Sequence, residues 1–84
     1  MTASGDEFEY TVGEEVVLGR DEILPGTAGF AVQGTVGTVI ESRQSSDSPL
    51  YDIAVVVEGQ SFRILGVPEE CILKKSEVPE KYYK

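Results

Sequence analysis

The stretch from Leu50 to Gly66 restricts what this chain can fold into more than any other. Tyr51, Ile53, Val55 and Val57 alternate with Asp52, Ala54, Val56 and Glu58, which is the period of a strand with one face turned inward. We place the first set inward. Glu58-Gly59-Gln60 reads as a tight hairpin, and Ser61 to Gly66 then returns antiparallel with Phe62 and Ile64 inward. Two such strands alone are barely stable in water, so the rest of the chain has to extend the sheet.

Upstream, Gly34-Thr-Val-Gly-Thr-Val-Ile-Glu41 looks like a turn feeding a central strand over about Thr35 to Arg43. Its glycines permit positive φ or close backbone approach, and its β-branched residues favour a pleated surface. A bulge at Gly37 would decide whether Val39 and Glu41 share a face; the sequence leaves that register open. Gly13-Glu-Glu-Val-Val-Leu18 predicts a first strand with Val16 and Leu18 on one face and Glu15 and Val17 on the other. The connection from Gly19 to Gln33 carries the turn dipeptide Pro25-Gly26, with Ile23, Leu24 and Phe30 able to fold it back over the core. Gln44 to Pro49 is a polar connector, and Pro49 places the start of the next strand after it. Val67-Pro-Glu-Glu-Cys-Ile-Leu73 predicts one helical turn followed by a short last strand of Ile72 and Leu73.

The expected fold is therefore all-β, a five-stranded SH3-like small barrel with one short helical turn before the last strand. Its interior is filled by Val16, Leu18, Val39, Tyr51, Ile53, Val55, Phe62, Ile64 and Ile72. Residues 1–10 read as a flexible acidic arm anchored by Phe8 and Tyr10, residues 11–74 as the barrel, and residues 75–84, with Pro79 and Tyr82-Tyr83, as a flexible tail. Val17, Ile40, Ala54, Val56 and Leu65 fall out of phase with the core set. They form a second apolar face, which either the Gly19 to Gln33 loop covers or a partner meets. Val17, Phe30, Ile40, Arg43, Val56, Arg63 and Leu65 are the expected partner-binding residues, and a second copy of the chain is one occupant such a face could take.

Eighty-four residues make one domain, and a chain of that size buries only about 60% of the surface its unfolded form exposes. The formal net charge is −8. Asp6, Glu7, Glu9, Glu14, Glu15, Asp21 and Glu22 crowd the first quarter against Arg20, whereas Lys74, Lys75, Lys81 and Lys84 gather near the end. Phosphate backbones would be repelled, so no nucleic-acid partner is expected. No apolar run approaches the ~20 residues needed to span a bilayer, and no secretory leader is visible. The lone Cys71 rules out an internal disulfide and fits a reducing, cytoplasmic setting.

Catalytic means are scarce. There is no histidine, hence no triad, and the commonest metal ligand is missing. Cys71 follows Glu70 and lacks the cationic surroundings that activate a thiol, so it reads as an inert, half-buried side chain. The acidic pairs Glu14-Glu15, Asp21-Glu22 and Glu69-Glu70 carry no loop of alternating oxygen ligands and read as solvated charge. Gly34-x-x-Gly37 is too short for a phosphate loop. Neither an enzyme nor a cofactor is expected. Arg43 and Arg63 with Tyr10, Phe30 and Tyr51 are candidates for an aromatic and cationic peptide groove, with Tyr51 as a core aromatic being the other reading.

Gly13-Glu-Glu-Val16, Asp21 with Pro25-Gly26, Gly34-Thr-Val-Gly-Thr-Val39, Leu50-Tyr-Asp-Ile53 and Ile64-Leu-Gly-Val-Pro-Glu-Glu-Cys-Ile72 together resemble the small SH3-like proteins of the nitrogen-fixation NifZ type, over roughly residues 12–74. The chain is also similar to the barrels of nitrile hydratase β-type chains, of the ferredoxin–thioredoxin reductase variable chain and of small photosynthetic-complex subunits. The resemblance implies a non-catalytic accessory or maturation subunit that docks on a larger metalloenzyme or electron-transfer complex. KOW-type and Tudor barrels share the Gly-x-x-Gly-x-Val pattern, and there the implied role is association with nucleic acid, the ribosome or methyl-lysine.

Overall fold

The computed structural model describes residues 8–45, 48–79 and 81. Of the expected arm over residues 1–10, residues 1–7 lie outside the described residues, as does the Tyr82-Tyr83 end of the tail, whereas Tyr10 belongs to the core and Phe8 packs against it. Among the described residues seven strands form, β1 (Glu15–Leu18), β2 (Glu22–Ile23), β3 (Phe30–Ala31), β4 (Val36–Gln44), β5 (Pro49–Val57), β6 (Gln60–Pro68) and β7 (Ile72–Lys74). Short 3-10 turns form at Glu69–Cys71 and Lys75–Glu77. Five strands make one antiparallel sheet in the order β6-β5-β4-β1-β7, and β2 and β3 pair separately as a hairpin. The sheet is therefore open, with β6 and β7 at its edges.

The alternation of Tyr51 to Val57 holds. Tyr51, Ile53 and Val55 are buried, and Val57 and Phe62 pack against the core that they form with Val16, Leu18, Val39, Ile64 and Ile72. Tyr10, Leu24, Ala31 and Val67 complete that core. Glu58 and Gly59 take φ of 52° and 82°, so the hairpin has both central residues in the left-handed region, the twist that suits two antiparallel strands. β5 begins at Pro49 itself, not after it; the first position of a strand tolerates a missing donor.

The two glycines of the Gly34 to Glu41 stretch serve different ends. Gly34 has φ of 95° and its N–H donates to the Leu18 carbonyl at 2.9 Å, closing the turn into β4. Gly37 lies in the ladder, opposite Val16 on one side and Val55 on the other. A Cβ there would stand 2.6 Å from Ile53 Cγ2 and 2.9 Å from the Ala54 oxygen, so the site requires a residue without one.

The bulge is not at Gly37. It falls between Val39 and Glu41, where Ile40 is the extra residue on β4. A second one lies between β5 and β6, where Leu65 and Gly66 together oppose Asp52, with Gly66 at φ of 70°. This shift of one residue moves Val67 into the core and leaves Leu65 on the outer face, because the side-chain period is two.

Strand β1 departs from simple alternation. Val16 and Leu18 face the core, yet Val17 on the opposite face is also fully buried. The 3-10 turn Lys75–Glu77 packs against β1, and Lys75 Nζ reaches Glu15 Oε1 at 2.8 Å on the same face as Val17. Residues 75–77, read from the sequence as tail, thus take part in the fold.

Candidate functional site

The Gly19 to Gln33 connection folds back as expected, but onto the main core. The β2–β3 hairpin pairs Glu22 with Ala31 and Ile23 with Phe30. Asp21 Oδ1 accepts the Gln33 N–H at 2.7 Å, tying the two ends of the loop together. The Pro25-Gly26 turn is closed by the Thr27 N–H and hydroxyl, both donating to the Leu24 carbonyl, at 3.2 and 3.1 Å. Leu24 and Ala31 are thereby driven into the core, while Ile23 and Phe30 remain 67% and 54% exposed.

A groove of about 610 Å³ runs between this hairpin and β6. Arg20, Asp21, Glu22, Ile23 and Pro25 line one side, and Ile64 and Leu65 the other. Leu65 is 63% exposed, so Ile23 and Leu65 are both unburied apolar side chains on the walls of one groove. Arg20 Nε donates to Glu22 Oε2 at 2.7 Å, which leaves the rim acidic. A smaller recess of about 260 Å³ lies where Phe30 and Leu24 approach Val57 and Phe62 beside the β5–β6 turn.

The second apolar face is divided. Val56 and Ile40 are exposed, Ala54 is partly so, and Val17 is buried; Val17 presents no surface to a partner. Arg43 lies on the outer face but is engaged. Its Nη2 donates at 2.7 Å to Oδ1 of Asp52, a nearly buried carboxylate that also accepts the Gly66 N–H at 3.0 Å. The bond therefore clamps the β5–β6 bulge from the far strand β4. Arg63 is exposed on β6, paired in register with Ala54.

The expected aromatic groove does not assemble, because Tyr10 and Tyr51 face the interior. Their rings pack edge to face with centroids 5.4 Å apart, and Phe8 adds a second edge contact to Tyr51 at 6.1 Å. The Tyr51 hydroxyl donates to Glu69 Oε2 at 2.6 Å and accepts the Tyr10 N–H at 3.3 Å. The Tyr10 hydroxyl donates to the Ile72 carbonyl at 3.1 Å, and Glu69 Oε2 also takes the Glu9 N–H at 2.9 Å. Burial first, and the neighbouring Glu9 and Glu69 carboxylates next, push Tyr10 up to about 12. Burial, then the Glu69 hydrogen bond, does the same for Tyr51, also to about 12. The cluster seals the end of the core where Phe8 to Tyr10 enter the fold.

Glu14 closes a turn with Thr11. Its Oε1 accepts the Thr11 N–H at 3.0 Å while its own N–H donates to the Thr11 carbonyl at 3.0 Å. The Thr11 N–H bond to the carboxylate, reinforced by Lys74 at 3.3 Å, holds the carboxyl below its ordinary range. Cys71 is half-buried. Among the described residues, no group of three or more histidine, cysteine, aspartate or glutamate side chains is placed to hold a metal ion, and no helix is long and apolar enough to cross a membrane.

Comparison with known protein families, with curated proteins and with solved structures yields no match.

Proposed function

We propose that this chain is a non-catalytic protein-interaction domain, an accessory subunit that docks on a larger protein. The observation that carries the reading is the pair Ile23 and Leu65, both about two-thirds exposed on the walls of one groove. Apolar side chains scattered singly on a surface mark nothing, whereas those gathered in one patch mark a contact surface, and these two share one groove. Tyr10 and Tyr51 are held neutral in the core and Arg43 is engaged by Asp52, and Ile23 and Leu65 differ from the exposed Val56 and Phe30 in lining this groove together.

We read the sheet as an SH3-like barrel. The order β6-β5-β4-β1-β7, with a hairpin after β1 and a 3-10 turn before β7, supports it. The resemblance to NifZ-type and ferredoxin–thioredoxin reductase-type barrels directs the reading to a metalloenzyme or electron-transfer complex as the larger partner. The acidic surface, at a net charge of −8, favours protein over nucleic acid.

Purification of the tagged chain from its native cell, with and without nuclease, tests this reading. A protein partner retained in fixed ratio after nuclease treatment is the expected result. Recovery with ribosomes or RNA-dependent proteins, lost on nuclease treatment, would contradict it.

A further inference from the structure

Resting on that reading, we infer that the groove between β2 and β6 takes an extended, basic and apolar peptide segment of the partner, added as a strand to the free edge of β6. Three observations converge. First, β6 is hydrogen-bonded to β5 on one side, and β2 to β3 on one side. Among the described residues no strand pairing joins β6 to β2. Among the described residues each of these strands therefore has a second edge with no strand paired to it, and a strand edge of this kind is a template for another extended chain.

Second, the groove offers apolar side chains to an incoming strand. Ile23, Pro25 and Leu65 can receive alternate side chains of a segment whose backbone follows β6. The bulge at Leu65–Gly66 interrupts the ladder, which resumes at Val67, so the regular edge before it is Gln60 to Ile64, where Ile64 lines this groove and Gln60 and Phe62 line the adjoining recess beside Phe30. A strand there spans about 17 Å at roughly 3.3 Å per residue.

Third, charge chooses among occupants. The rim carries Asp21 and Glu22 against Arg20, which Glu22 already engages, on a chain of net charge −8. A second copy would bring the same acidity to the same place, and like-charged surfaces repel. A segment in which lysine or arginine alternates with valine or leucine complements both the rim and the floor.

The test uses the full chain and three nine-residue peptides. Acetyl-KVKVKVKVK-amide is the probe, acetyl-EVEVEVEVE-amide reverses its charge, and acetyl-KVKPPKKVK-amide keeps charge but lacks a central ladder donor on either edge. Affinity is read by titration, location by amide hydrogen exchange, and self-association by sedimentation. The basic peptide is expected to bind at least about tenfold more tightly than either of the others, to slow exchange within Gln60–Ile64, and to lose about tenfold with Leu65→Lys or Ile23→Lys. Equal binding of the proline peptide, or protection elsewhere with β6 unchanged, overturns strand addition. A dimer lost in Leu65→Lys would assign the groove to a second copy and overturn the basic partner. If a native partner co-purifies yet the peptides fail in this way, the docking reading stands and only its mode is wrong. If no protein partner co-purifies, the reading itself fails.

Discussion

Gly37 lies directly across from Val55 in the β4–β5 ladder, and a Cβ on Gly37 would stand 2.9 Å from Val55 Cγ1. Its other near neighbours are the Ile53 methyl and the Ala54 oxygen, none of which can retreat without moving β5. Gly37→Ala is therefore expected to destabilise the domain by roughly 1–3 kcal/mol through overpacking. Denaturant unfolding of the pair measures it; an unchanged midpoint would mean that β4 and β5 are less tightly joined than described.

The buried tyrosines predict the alkaline limit of the fold. Tyr10 and Tyr51 are pushed up to about 12, whereas an unfolded tyrosine titrates near 10. The folded state thus favours the neutral phenols. Their contribution is fully present below pH of about 10 and is lost as pH rises through about 12. Ultraviolet titration should show the phenolates of Tyr10 and Tyr51 forming late and together with unfolding. In Tyr51→Phe, Glu69 loses its 2.6 Å donor, stability at neutral pH falls by about 1 kcal/mol, and the alkaline loss becomes shallower.

Asp52 sits between two bulges, and its carboxylate has Arg43 and the Gly66 N–H as partners. Asp52→Ala removes the acceptor for both and is expected to cost about 1–3 kcal/mol. Arg43→Ala should cost less, about 1 kcal/mol, because the guanidinium is 45% exposed and screened by solvent. The double variant should match Asp52→Ala within a few tenths of a kcal/mol if the two act as one unit. Thermal unfolding of the four proteins provides the cycle.

Adjacent residues in the first loop should behave oppositely. Leu24 is buried in the core and Ile23 is not. Leu24→Ala is expected to cost about 2–4 kcal/mol and Ile23→Ala less than about 0.5 kcal/mol, measured by urea unfolding. Equal costs would show that the hairpin packs otherwise.

Most of the sheet was legible in the sequence because period-two alternation is strict where one face is buried. All nine residues expected inside, from Val16 to Ile72, belong to the core or pack against it. Register was legible only in part. Ile40 and Gly66 shift it by a residue each, and a bulge leaves no mark on the alternation except a glycine within a strand, which Gly66 provided and Ile40 did not. Val17 was misplaced onto the surface because a strand pattern is silent about what covers its other face, here beside the 3-10 turn Lys75–Glu77. Asp52 and Arg43 were legible as residues but not as partners, since their meeting depends on both bulges. The groove of Ile23, Pro25, Ile64 and Leu65 joins segments far apart in sequence. Its one local signal was the Ile23-Leu24 pair before Pro25-Gly26, of which only one member could be buried.

The central claim is that the chain works through the groove walled by Ile23 and Leu65. The most direct measurement is recovery of partner protein from native cells by the wild-type chain and by Leu65→Lys, with unfolding midpoints of both recorded. The account predicts equal stability within about 0.5 kcal/mol, as for an exposed substitution, and loss of most of the nuclease-resistant partner from the variant. Undiminished recovery by a folded Leu65→Lys chain would contradict it.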